Sequence, residues 1–185
     1  MKLKILLSLL LVVLIAAVSY GFIHSPKKTQ EAEAINWVSI EEAAELAPQA
    51  GKKILVDVYT DWCGWCKRMD KATYEDPQVA AYINEHYLAV KFNAEQKAEI
   101  NLKGQIFKFV PNGRRGYHEL AASLLNGQMS YPHTVFLEPD LNLITRIAGY
   151  KDANFMLPVL HYLGEGAYKE NVSFQDFLSN FKADQ

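Results

Sequence analysis

Hydrophobic positions change period along this chain, and the changes mark out its elements. Ile54, Leu55, Val56, Val58 and Tyr59 make a nearly continuous apolar run with one acid, Asp57, inside it. A run of that kind reads as a strand buried on both faces. Ahead of it, Ala43, Ala44, Leu46 and Ala47 follow helical spacing behind Ser39, and Glu42 completes a capping box; Pro48 and Gly51 end the helix. Behind it, a helix is predicted from about Cys63 to Lys71. A second starts at Asp76-Pro77, with Val79, Tyr82 and Ile83 on its inner face, and leads into a strand from Tyr87 to Asn93. Strand, helix, strand implies a right-handed crossover and a parallel pair.

Further on, Thr134 to Glu138 and Leu143 to Ala148 flank the turn sequence Pro139-Asp140-Leu141-Asn142 and read as an antiparallel hairpin. Asp152 caps a helix carrying Phe155, Met156, Leu157 and Leu160, which Pro158 is expected to kink or displace, and Gly164-Glu165-Gly166 ends it. A last short helix opens at Ser173, with Phe174, Phe177, Leu178 and Phe181 spaced for packing on the domain. The least regular part is 94–130. Ile100 to Phe109 is read as helix, broken by Pro111-Asn112-Gly113, and Tyr117 to Leu125 as a second short helix.

The first twenty residues change the picture of location. Lys2 and Lys4 precede an apolar run from Ile5 to Val18, and Ala17-Val18-Ser19 is a small-residue cleavage pattern. Residues 1–20 are therefore expected to be a signal peptide, or a membrane anchor if uncleaved, and 21–34 a polar linker. Residues 35–185 form one domain. Either reading puts that domain outside the cytoplasm, periplasmic or anchored facing the periplasm. A net charge of −2 over 185 residues, with no basic cluster beyond short pairs, argues against nucleic-acid binding.

Chemistry concentrates in one turn. The only two cysteines, Cys63 and Cys66, lie in Trp62-Cys63-Gly64-Trp65-Cys66, between the buried strand and the helix. That spacing reads as a redox dithiol. Cys63 falls where unpaired backbone N–H groups face it, and Lys67 and Arg68 add positive charge, so its thiolate is favoured. Cys66, one turn on, is placed to resolve a mixed disulfide. Gly64 is expected to permit the tight bend, and Trp62 and Trp65 to shield the pair. Asp57, an acid in a buried strand, is expected to have a raised pKa and to accept the proton of Cys66. Its alternative is a structural acid.

The segment ILVDVYTDWCGWCK resembles the active-site region of the thioredoxin superfamily. Asp57 matches its buried acid, Cys63 its nucleophile, Cys66 its resolving thiol and Trp62 the preceding tryptophan. Lys91 matches the lysine beside the buried acid, Tyr131-Pro132 the cis-proline loop, and Gly149 the glycine ending the last strand. Trp65 departs from the usual proline. The resemblance, nearest to exported bacterial thioredoxin-like proteins, implies an α/β fold with a mixed sheet flanked by helices on both faces. It implies thiol–disulfide exchange, with Cys63, Cys66, Asp57 and Lys91 as the catalytic set. Trp62, Gly64, Trp65, Tyr131 and Pro132 would contact substrate. The expected partners are protein thiols or disulfides and a membrane electron-transfer protein, with no metal and no organic cofactor. The 94–130 insert, longer than in a minimal thioredoxin, either shapes a partner surface or covers a sheet edge. Two other readings stay open: a non-catalytic binding module, and a metal-binding dithiol protein.

Overall fold

In the computed structural model, residues 33–181 are described; the export segment and all but the end of the linker lie outside them. Five strands form the main sheet: β1 (Trp37–Val38), β2 (Lys53–Tyr59), β3 (Tyr87–Asn93), β8 (His133–Leu137) and β9 (Leu143–Ala148). Their order is β1-β3-β2-β8-β9. β1 and β2 each run parallel to β3, while β8 pairs antiparallel with β2 and with β9. The parallel set therefore has three strands rather than the expected two, because Trp37-Val38 pairs with Ala89-Val90. Two residues are too few to show a periodicity in sequence.

Alternation along β2 builds two cores. Ile54, Val56 and Val58 point to one face, where α1 (Ile40–Ala50) and α4 (Glu119–Leu124) supply Ile40, Ala43, Ala47, Leu120 and Ala121. Leu55 points to the other. There α2 (Gly64–Met69), a following π-helical turn (Asp70–Tyr74), α3 (Pro77–His86) and α5 (Ala153–Gly164) contribute Met69, Tyr74, Ile83 and Leu160. Helices thus cover both faces of the sheet. Asp57 shares the parity of Leu55 and so faces the second layer, beneath the helix that carries the cysteines.

The capping signals are realised. Ser39 Oγ accepts from the backbone N–H of Glu42, Asp76 from Gln78 and Val79, Asp152 from Phe155, and Ser173 from Asp176. Replacing a capping hydroxyl leaves a helix N–H unpaired. Ser39→Ala is accordingly expected to lower stability by about 1 kcal/mol, read as a shift in the urea midpoint with unchanged slope.

Pro158 lies inside α5, whose start is not displaced from the Asp152 cap; it is buried with Met156, Val159 and Leu160, and this packing offsets the one ladder bond it forfeits. Expectations fail locally elsewhere. The helix after Cys63 stops at Met69 and widens into the π-helical turn, where Glu75 N–H reaches back to Asp70 O. In the insert, the segment read as helix from Ile100 to Phe109 is instead a hairpin of β4 (Ile100–Leu102) and β5 (Gln105–Phe107). Its turn residues Lys103 and Gly104 both have positive φ, the conformation a two-residue hairpin turn demands. A second hairpin follows, β6 (Phe109–Asn112) and β7 (Arg115–His118), so Tyr117 is in a strand and the short helix begins only after His118. The closing helix α6 (Phe174–Asn180) sets Phe174 and Phe177 against Tyr162 and leaves Leu178 exposed.

Candidate active site

The site lies at the carboxyl end of β2, where the chain turns into α2. Cys63 is the N-cap of α2, and its Sγ accepts the Cys66 N–H at 3.0 Å. Cys63 and Cys66 are joined by a disulfide. Both are buried, Cys63 at 5% and Cys66 at 2% exposure, so Cys63 is the slightly more exposed residue of the two. The N–H directed at Cys63 Sγ favours a thiolate there once the bond is reduced.

On the face of the sheet that α2 covers, Asp57 and Lys91 are register neighbours on β2 and β3, with Lys91 Nζ at 2.9 Å from Asp57 Oδ2. Lys91 also bonds Asp70 Oδ1, from the π-helical turn. One ammonium is thus shared by two carboxylates, and the rings of Trp37, Tyr59 and Tyr74 surround it at 5.1–5.7 Å. Asp57 Oδ1 is buried and has no hydrogen-bond partner. Burial pushes the Asp57 carboxyl up to about 6; Lys91 opposes the rise and Asp70 adds to it. For Lys91, burial works against the charge, but the two carboxylates outweigh it and the pKa is raised. A cavity of about 400 Å³, lined by Trp37, Asp70, Tyr74, Glu75 and Lys91 among others, opens this cluster to solvent from the Lys91 side.

Above the pair, Trp62 and Trp65 are about half exposed, at 51% and 56%. Trp62 packs edge-on against Tyr131, and the Tyr131–Pro132 peptide is cis. Burial, helped by Glu95, raises the Tyr131 phenol to about 12, so it stays protonated at neutral pH. Trp65 packs on Tyr150. Gly64 corrects an expectation: its φ lies outside the left-handed region and a Cβ there would meet open space, so the bend does not require glycine. His133 is buried at the start of β8, its Nδ1 beside Ser130 O. Burial lowers its pKa despite that carbonyl, and Arg146 and Lys151 reinforce the shift, so the imidazole is neutral at pH 7.

With this geometry in view, comparison with known proteins decides the family. Residues 23–156 match the family described as Thioredox_DsbH, protein of unknown function DUF255. The chain belongs to that family. The thiol:disulfide interchange protein DsbD of Vibrio vulnificus is 37% identical over 78 residues, which cover 39% of this chain and 13% of that protein. The chain therefore spans a small part of the curated relatives it matches. A solved structure called DsbH oxidoreductase superposes with a TM-score of 0.53 at 21% identity, over 76% of this chain and 92% of that one. A thioredoxin-fold protein from Helicobacter pylori gives 0.54 at 21%, over 70% and 80%. Both likenesses show the fold.

Sequence reasoning missed several residues of this thioredoxin-fold site. Asp70 lies seven residues after Cys63 and four after Cys66, two turns and one turn along the same helical face, so spacing alone placed it near Asp57. Glu95 and Arg115 carried no such signal. They reach Trp62 from the insert, where the sequence predicts a helix over Ile100 to Phe109, a break at Pro111-Asn112-Gly113 and a solvated face at Arg114 and Arg115: Trp62 Nε1 donates to Glu95 Oε2 at 3.0 Å, and the Arg115 guanidinium lies 4.2 Å over the Trp62 ring. Among the described residues, no cluster of three or more His, Cys, Asp or Glu is arranged to hold a metal ion.

Proposed function

We propose that this chain exchanges thiols and disulfides on protein substrates outside the cytoplasm, through Cys63 and Cys66. The observation that carries this reading is the Cys63–Cys66 pair at the N-cap of α2, at the end of the strand that holds Asp57, a buried acid with one oxygen unpartnered among the described residues. In the reducing direction, the Cys63 thiolate attacks one sulfur of a substrate disulfide. A mixed disulfide forms and the other substrate sulfur leaves as a thiolate, which takes a proton from solvent. Cys66 then gives its proton to Asp57 and attacks Cys63 Sγ. This releases the second substrate thiolate and closes the Cys63–Cys66 bond. Two electrons pass to the substrate, and the oxidising direction is the reverse.

Lys91 and Asp70 hold Asp57 in position and offer its proton a way to solvent. The cis-proline loop at Tyr131-Pro132 docks an extended substrate segment by strand-like pairing, with Trp62, Gly64 and Trp65 bordering it. Location rests on the export pattern in residues 1–20, for which cleaved signal and membrane anchor are the two forms. Among the described residues no helix is long and apolar enough to cross a membrane. A protein that reduces substrates in that compartment needs electrons brought across the membrane, so the partner proposed is a membrane electron-transfer protein.

The test is the reduction potential of the full chain in graded dithiol buffers, read by thiol trapping and mass. A value near about −270 mV makes the protein a reductant, and one near about −120 mV a disulfide donor. A pair that does not cycle at all overturns the proposal.

A further inference from the structure

The two tryptophans beside the disulfide carry matching ornaments from unrelated parts of the chain. Trp62 has Arg115 of β7 over its ring at 4.2 Å. Trp65 has Arg68 over its ring at 5.3 Å, and the same guanidinium lies 5.5 Å from the Tyr150 ring. Both arginines are exposed, and among the described residues neither is in an ion pair. A guanidinium stacked on an aromatic face is held in one orientation, while its in-plane N–H edges stay free for a carboxylate. Glu95 accepts from Trp62 Nε1, and Asp61 from Asn93 Nδ2 at 3.1 Å, so neither carboxylate is ion-paired with these arginines among the described residues.

The insert holds Arg115 firmly. The β6–β7 hairpin is tied to the frame by His118 N–H to Ala94 O at 2.7 Å and by the fully buried His118 ring, which bonds Ala98 O and accepts from Leu120 N–H. Gly116, next to Arg115, has the Phe109 ring where a Cβ would stand, so the strand lies close against its partner there.

Resting on the exchange reading above, we propose that Arg115 and Arg68 form a two-sided carboxylate clamp that selects substrate segments with acidic side chains flanking the reactive cysteine. The insert is then the part of the chain that sets specificity, since it supplies Arg115 beside the docking loop.

The experiment compares two synthetic peptide disulfides with the full chain, one with Glu on both sides of each cysteine and one with Lys. Hydroxyethyl disulfide serves as the uncharged control. The wild type is expected to favour the Glu peptide by about tenfold in kcat/KM at low salt, mostly through KM, from two exposed charge pairs. That preference should shrink as salt rises. Arg115→Glu is expected to lower or invert the ratio, and Arg115→Ala to fall between. Reading each variant as a ratio of the two peptides cancels their intrinsic reactivities. If both peptides turn over and the ratio is the same in wild type and Arg115→Glu, the clamp is wrong and the exchange reading stands. If hydroxyethyl disulfide and both peptides all fail with the wild type, the exchange reading itself is wrong.

Discussion

Cys63→Ser is expected to reduce disulfide exchange to the uncatalysed level, whereas Cys66→Ser is expected still to attack substrate and to accumulate mixed disulfides. The asymmetry follows from position. Cys63 is the slightly more exposed residue of the pair, stands at the N-cap of α2 and receives the Cys66 N–H. A thiolate is the form that attacks, and serine in its place is a far poorer nucleophile at neutral pH. Cys66 lies one helical turn further in and is proposed to act on the Cys63 sulfur rather than on substrate. Removing it leaves the first step intact and blocks release. Incubation with a reduced and reoxidised protein mixture, followed by non-reducing gels and mass measurement, separates the two variants. Equal trapping by both would mean that either sulfur can attack, and the assignment of roles would fail.

The chemistry of the site was legible in sequence because it is local or lies on strongly patterned strands. Cys63 and Cys66 share a turn, β2 and β3 have unmistakable apolar runs, and the resemblance to the thioredoxin superfamily sets Lys91 beside Asp57, where the β2–β3 register has it. Helical spacing puts Asp70 on the face of Cys63 and Cys66, but its bond to Lys91 depends on the π-helical turn that replaces the predicted end of the helix. What was not legible is the insert. In Ile100 to Phe109 the apolar positions fit two periods at once, and the arbiter is the positive φ at Lys103 and Gly104, which an isolated Lys-Gly pair signals weakly. With the hairpins misread, neither Glu95 nor Arg115 could be placed on Trp62. Specificity contacts of this kind depend on tertiary position, and a single chain shows them only after it is folded.

Asp57→Asn separates the proton acceptor from the structural acid, because the two roles predict opposite signs in two measurements. An acid that takes the Cys66 proton must be ionised. With its pKa pushed up to about 6, the rate of Cys66 attack should rise as pH climbs through that value in the wild type. Asp57→Asn should lose the inflection and slow the resolving step on the order of 10²-fold at neutral pH, as seen by stopped-flow release from a preformed Cys63 mixed disulfide. Stability moves the other way. A carboxyl whose folded pKa is raised binds its proton more tightly in the native state. The associated stability is therefore complete below the ordinary carboxyl pKa of about 4 and is lost as pH rises through about 6. At pH 7.5 the wild type bears the whole penalty of a buried carboxylate, and the neutral amide removes it. Asp57→Asn is thus expected to be more stable there by about 2 kcal/mol and to show no slope between pH 4 and 6 from this group. Lys91 keeps Asp70 as its partner, which prevents the variant from stranding a charge. A variant that slows resolution while gaining stability identifies Asp57 as a functional acid kept at a cost to the fold. One that loses stability and resolves at the wild-type rate identifies it as half of a structural ion pair.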